Sequence, residues 1–192
     1  MKKLVAVFGP AGCAAGDPLY ESAETCGRLL GEAGFAVVTG GYEGVMEAAS
    51  KGARAAGASA IGVTAEVYYA RGREANGFLT REVRLKSAAD RLMELLDLPD
   101  AYIAIGNSTG SLAEVAMVWD YMVKGFLPKK PFLLVGESWR SFLGAIEKED
   151  LLQPHLALLQ YHAQCETAVG HLQGLIGSSI LLPDLQIIQP TQ

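Results

Sequence analysis

The chain has little of what much specialised chemistry requires. Its three cysteines, Cys13, Cys26 and Cys165, are scattered, with no C-x-x-C pair and no histidine at metal-ligand spacing. That pattern supports neither a disulfide framework nor a zinc site, so no metal is expected and a reducing cytoplasm fits. Charged residues make up only 19% of the chain, and no run of Lys or Arg exceeds two. With a formal net charge of -5 there is no electrostatic footprint for nucleic acid or an anionic membrane, and neither is expected as a partner. Long apolar runs are scarce too. Leu4-Val5-Ala6-Val7-Phe8 follows two lysines like a secretory leader, and Pro10-Ala11-Gly12-Cys13 imitates a lipoprotein cleavage box. Gly9-Pro10 stops the run short of the roughly 7 to 15 apolar residues a leader needs, so the segment reads as a buried first strand of a cytoplasmic protein.

The common nucleotide motifs are missing as well. No G-x-G-x-x-G follows the first strand, and the second ends in Val37-Val38-Thr39-Gly40-Gly41 without an acid for a ribose hydroxyl, which disfavours hydride transfer. No G-K-[ST] follows any strand, which disfavours triphosphate hydrolysis. No His-Lys pair of the usual Schiff-base kind is present, so a pyridoxal-phosphate enzyme is set aside and no cofactor is expected.

What is present is an apolar chain, 50% hydrophobic over 192 residues, with β-rich runs alternating with helical patterns. This order predicts one α/β domain over residues 1–192, a Rossmann-like three-layer fold with a doubly wound parallel sheet and helices on both faces. Strands are expected at Leu4 to Phe8, Ala36 to Val38, Ser59 to Val63, Ala101 to Ile105 and Phe132 to Val135, with a weaker one at Leu156 to Tyr161, all interior. Helices are expected at Pro18 to Ala33, Gly44 to Ala56, Arg81 to Leu96, Ser111 to Lys124, Ser138 to Glu147 and Glu166 to Leu175, with Gly34 and Gly57 at helix ends. Residues Thr64 to Thr80 follow neither period and read as a loop over the site; the tail from 178 to 192 is expected to dock on the body or a neighbouring subunit.

Ligands of such sheets bind beyond the carboxyl ends of the strands, where helix N-termini offer free N–H groups. Three loops there are rich in small residues: Gly9-Pro10-Ala11-Gly12, Thr39-Gly40-Gly41-Tyr42-Glu43-Gly44 and Gly106-Asn107-Ser108-Thr109-Gly110-Ser111. Small residues let amides approach phosphate oxygens, and Ser108, Thr109 and Ser111 add hydroxyls, so the third loop is the expected cradle for a phosphorylated, nucleotide-type small molecule.

The run from Thr39 through Gly44-Val45-Met46-Glu47-Ala48-Ala49 and Gly52-Ala53 to Ala60-Ile61-Gly62-Val63 resembles the second loop and helix of the Lonely-Guy family, once labelled lysine decarboxylases. The resemblance spans Val5 to about Leu172 and includes Asp17-Pro18-Leu19-Tyr20 at the first helix. It implies a nucleotide 5'-monophosphate phosphoribohydrolase, which cleaves an N-glycosidic bond to release base and ribose 5-phosphate. Aligned on Asp100-Ala101-Tyr102, the family motif P-G-G-x-G-T-x-x-E falls on Gly106 to Glu114, and its catalytic Arg on Arg91. Gly106 stands for the Pro, Asn107-Ser108 for the glycine pair, Ser111 for the Thr, and Leu92 for the Lys after the Arg. Nucleotide-binding variants of this superfamily include non-catalytic carriers and sensors such as molybdenum-cofactor carriers, and that alternative stays open.

In the hydrolase reading Glu114 stabilises an oxocarbenium-like state or activates water, and Arg91 holds phosphate, sugar or leaving base. Against this, Ser111-x-x-Glu114 also reads as a capping box, and Arg91 as a solvated residue of a charged helix. Tyr42 and Glu43 could reach a sugar or base. Met117 and Trp119 fit core or a dimer seam, and the resemblance implies a homodimer through Leu112 to Met122. His155, His162 and His171 lie away from the loops.

Overall fold

The computed structural model describes residues 2–177, so the expected docking of the 178–192 tail lies outside the described residues. Seven strands, β1 (Leu4–Phe8), β2 (Ala36–Thr39), β3 (Ala60–Ala65), β4 (Arg81–Leu85), β5 (Ala101–Ile105), β6 (Phe132–Val135) and β7 (Gln160–His162), form one sheet in the order β4-β3-β2-β1-β5-β6-β7. Every pairing is parallel. The helices are α1 (Pro18–Glu32), α2 (Val45–Ala55), α3 (Glu66–Tyr69), α4 (Ala88–Asp97), α5 (Thr109–Val123), α6 (Glu137–Ile146) and α7 (Cys165–Gly177). The doubly wound α/β expectation holds. No described helix is long and apolar enough to cross a membrane.

Alternate residues of a strand point to opposite faces, and β1 uses both. Val5 and Val7 join Leu30 of α1, Ala49 of α2 and Leu172 of α7 in one buried cluster. Ala6 and Phe8 join Leu95 of α4, Val118 of α5 and Trp139 of α6 in the other. Parallel crossovers are right-handed, so the chain winds outward from β1 with α1 and α2 on one face, and from β5 with α5 and α6 on the other. The loops leaving β1 and β5 therefore part to opposite faces and open a crevice between their carboxyl ends.

Two sequence expectations fail. Arg81 to Leu85 is a strand and not the start of the helix expected over Arg81 to Leu96: it pairs with Ile61 to Ala65, and α4 begins only after Ser87, whose hydroxyl accepts from the Asp90 amide at 3.0 Å. Its composition misleads because β4 is a sheet edge, where charge discourages pairing with other chains. Glu82 there accepts from Thr64 at 2.5 Å, Tyr69 at 2.6 Å and Arg84 at 3.0 Å. Desolvation pushes against ionisation, yet these bonds pull its carboxyl down to about 2. Likewise the weak strand expected over Leu156 to Tyr161 is a 3-10 turn at Gln153–Leu158 followed by β7, so neither β4 nor β7 is interior. The Thr64 to Thr80 stretch closes β3 and forms α3 before it becomes a loop.

α1 and α2 touch backbone to backbone. A Cβ on Gly27 would lie 2.0 Å from the Ala49 carbonyl oxygen, and one on Gly52 would lie 1.9 Å from that of Glu24. Neither obstacle can rotate away, so Gly52→Ala should cost roughly 3 kcal/mol, read as a lower urea midpoint at unchanged slope. Gly144 in α6 has nothing within 4 Å, and Gly144→Ala should instead stabilise by roughly 0.5–1 kcal/mol.

Candidate functional site

Three loops meet at the carboxyl edge, and backbone packing brings them together. The Val45 amide donates to the Pro10 carbonyl at 2.9 Å. A Cβ on Gly44 would fall 2.4 Å from that same oxygen, and one on Gly9 would fall 2.5 Å from the Ile105 carbonyl. Gly106, with φ +65°, lies against Leu19 and Pro10. Glycine at these positions fastens loop to loop. By contrast, a Cβ on Gly12 would meet nothing within 4 Å, and one on Gly110 would meet only the Ser108 hydroxyl at 3.8 Å. Those two border open space.

The Gly40-to-Gly44 loop is spoken for by the protein. Gly40, Gly41 and Gly44 are buried. The Gly41 amide donates to Thr39 Oγ1 at 3.1 Å, and the Gly41 and Tyr42 carbonyls accept from Asn76, from its amide at 2.9 Å and its side chain at 3.0 Å. This loop forms the wall behind the crevice. Tyr42 is buried too, its hydroxyl bonded to the Ala65 amide at 3.0 Å and carbonyl at 3.3 Å, so it does not reach into open space as the sequence suggested. Glu43 is exposed and pairs with Arg73 at 3.5 Å. Asn76 and Tyr68, which hold this wall in place, carry no motif that would have singled them out.

The third loop is different. Asn107, Thr109 and Gly110 are exposed, and Ser108 is half-buried. Ser108 caps α5: its hydroxyl accepts from the Ser111 amide at 3.3 Å, while Ser111 Oγ accepts from the Ser108 amide at 2.8 Å. The capping box is thus Ser108 with Ser111, not Ser111 with Glu114, and it occupies two of the three hydroxyls expected to hold phosphate. Ser111 itself is only 1% exposed. The Thr109 and Gly110 amides in the first turn of α5 have no intrahelical acceptor and carry the positive end of the helix dipole.

Arg91 is not a solvated residue. It is 9% exposed, donates from Nε to the Val63 carbonyl at 2.9 Å and from Nη2 to the Gly40 carbonyl at 3.1 Å, and lies 5.5 Å from the ring centres of both Tyr42 and Tyr68. A Cβ on Gly40 would overlap Nη2. The guanidinium staples α4 to the ends of β2 and β3, leaving Nη1 as its nitrogen without a protein partner among the described residues. Glu114, two turns into α5, has no hydrogen-bond partner among the described residues and is half-buried. Burial pushes its carboxyl up to about 7, and the nearby Arg91 charge opposes that rise.

The remaining candidates sit elsewhere. Met117 and Trp119 pack against the α4-α5-α6 cluster, with Trp119 Nε1 donating to the His155 carbonyl at 3.0 Å. His162 and His171 contact each other at 3.1 Å beyond β7. No group of three or more His, Cys, Asp or Glu that could hold a metal occurs among the described residues.

Comparison with known proteins agrees with this fold. The fold is similar to that of the molybdenum cofactor binding protein of Rippkaea orientalis, with a TM-score of 0.73 at 22% identity, covering 92% of this chain and 98% of that one. It is also similar to the molybdenum cofactor carrier protein of Chlamydomonas reinhardtii, with a TM-score of 0.72 at 23% identity over 93% of this chain and 100% of that one. In sequence, an uncharacterized protein of Archaeoglobus fulgidus is 27% identical over 113 residues, 59% of this chain and 71% of that protein. A family model described as the SLOG cluster4 family matches residues 2–131, more than half of the sequence, and the chain belongs to that family.

Proposed function

We propose that this chain binds a phosphorylated small molecule of nucleotide or molybdenum-cofactor type in the crevice between β1 and β5, and carries it without hydrolysing it. The observation that carries the reading is the commitment of Arg91. A guanidinium bonded to two main-chain carbonyls and enclosed by two tyrosines is a strut, and moving it onto a sugar or leaving base would orphan the Val63 and Gly40 carbonyls. The phosphate would meet the Thr109 and Gly110 amides, with the Asn107 and Thr109 side chains on one side and Gly12 on the other. Gly9, Pro10, Gly40, Gly41, Gly44, Gly106, Ser108 and Ser111 serve by holding these groups in place. Glu114, within electrostatic reach of Arg91, would serve as an acceptor, or as a donor when protonated, for a polar edge of the ligand. The two similar solved structures, a cofactor binding protein and a cofactor carrier, support carriage.

The phosphoribohydrolase reading drawn from the Lonely-Guy resemblance rests on the electrostatic proximity of Arg91 and Glu114. It is separated by product analysis. Purified protein incubated with AMP, GMP or a cytokinin ribotide should release no free base on chromatography, while a bound ligand at a hundred times its Kd should add about 2.7 kcal/mol of stability. Release of base with ribose 5-phosphate would reverse the assignment.

Gly110→Asp fits sterically and favours the start of α5 through the dipole, but sets a negative charge where the phosphate would lie. It should abolish ligand binding by calorimetry while the melting temperature holds or rises; retained affinity would move the phosphate elsewhere.

Because the folded chain holds the Glu114 proton more tightly than the unfolded chain, the residue's stabilising contribution is present in acid and drains away from an ordinary 4.5 up to about 7. Glu114→Gln should therefore leave stability nearly unchanged near pH 4 and raise it by roughly 1–3 kcal/mol near pH 8, measured by urea titration.

The homodimer belongs to the same proposal. Leu112 is 36% exposed, and Ala113 and Ala116 beside it on α5 are exposed, an apolar strip suited to self-association. Light scattering should give twice the chain mass, falling to one chain in Leu112→Glu.

A further inference from the structure

Two of the three cysteines, 139 positions apart and unpaired by any sequence motif, meet across the helical layer. Cys26 lies one turn beyond Ser22 on the same face of α1. Cys165 opens α7 and reaches across to that face: its sulfur is 3.5 Å from the Ser22 hydroxyl and donates to the Ser22 carbonyl at 3.5 Å. The Ser22 carbonyl that receives the Cys165 thiol is also the helical acceptor for the Cys26 amide one turn on, which sets the two cysteines side by side. Cys26 is fully buried and Cys165 is 2% exposed, both in the cluster beneath α1, α2 and α7.

The pair is not sealed. A cleft of about 360 Å³ opens between α1 and the start of α7, lined by Ser22 and Cys165 together with Pro18, Glu21, Gln164 and Glu166. A small neutral oxidant entering there meets Cys165 first, and Cys26 stands behind it. The environment also divides the labour. The neighbouring Cys26 thiol holds the Cys165 thiol below its usual range, with burial working against it and the Ser22 hydroxyl assisting. The first turn of a helix favours a thiolate in the same sense. The Cys26 thiol is pushed up by its neighbour Cys165 and by burial.

We propose that Cys165 and Cys26 are a dithiol that hydrogen peroxide oxidises to an intramolecular disulfide tying α1 to α7. The Cys165 thiolate attacks one peroxide oxygen; the S–O bond forms, the O–O bond breaks, and the departing hydroxide takes the thiol's proton and leaves as water. The Cys26 sulfur then attacks the sulfenic sulfur; the S–S bond forms, the S–O bond breaks, and the hydroxyl leaves with the Cys26 proton as a second water. Two electrons pass from the thiols to the peroxide, and a cellular thiol can restore the reduced pair by exchange.

The test is intact-mass spectrometry of the full-length protein titrated with hydrogen peroxide, followed by peptide mapping without reductant. The mass should fall by two hydrogen atoms, with the Cys26 and Cys165 peptides joined, the same bridge in Cys13→Ser, and none in Cys26→Ala, where dimedone should trap the sulfenic acid on Cys165. Oxidised wild-type protein should melt roughly 5–15 °C higher than reduced protein, since the bridge closes a very long loop. A wild-type mass that only gains oxygen, a bridge to Cys13, or a bridge between chains would each overturn the proposal, and none of these readings depends on a variant folding.

Discussion

The Val45 amide reaches the Pro10 carbonyl at 2.9 Å only because Gly9 and Gly44 have no side chains to keep the two loops apart. That contact fixes where α2 begins relative to β1, and with Gly106 against Pro10 it extends to the start of α5. A crevice at a topological switch point is only as definite as the loops that bound it. Here its back wall is built from main chain, which has no rotamers to lose. The same economy recurs below, where Gly27 and Gly52 let α1 and α2 share one groove. At these four positions glycine serves by letting backbones close on one another.

That explains what could be read in advance. β1, β5 and β6 announce themselves as unbroken apolar runs because both faces of an interior parallel strand are covered, and their bounds match residue for residue. β4 was unreadable for the opposite reason: an edge strand with Arg81, Glu82 and Arg84 has the composition of a surface helix, and only pairing with β3 distinguishes the two. The site was legible as a place and less so in its parts. Glycine-rich loops located the carboxyl edge correctly, but spacing cannot tell a glycine that borders open space, such as Gly110, from one that admits Arg91, such as Gly40. Nor could spacing show that Ser108, and not Ser111, ends the loop and starts the helix. The encounter of Cys26 with Cys165 had no local signal at all, since it arises from the return of α7 to the face of α1.

Arg91 and Glu114 illustrate how one pair of residues supports different chemistries. In water an arginine and a glutamate at this separation would simply both be charged. Here the guanidinium spends its donors on Val63 and Gly40, and the carboxylate is left with burial as its dominant influence, poised near neutrality. Such a carboxyl changes its hydrogen-bonding sense over a narrow pH range, accepting on one side and donating on the other. A site of this kind discriminates ligands by the polarity of one edge, which is a binding property before it is a catalytic one.

The serine pair at the start of α5 completes its mutual bonds within one helical turn. A ligand shifts a conformational balance only where it binds two states unequally, and these bonds brace the start of α5 from within the chain. If the proposed carriage holds, an enzyme receiving the ligand would gain no signal from an α5 start that is already braced. On that proposal it would have to touch the ligand itself, and transfer would be governed by competition for one molecule.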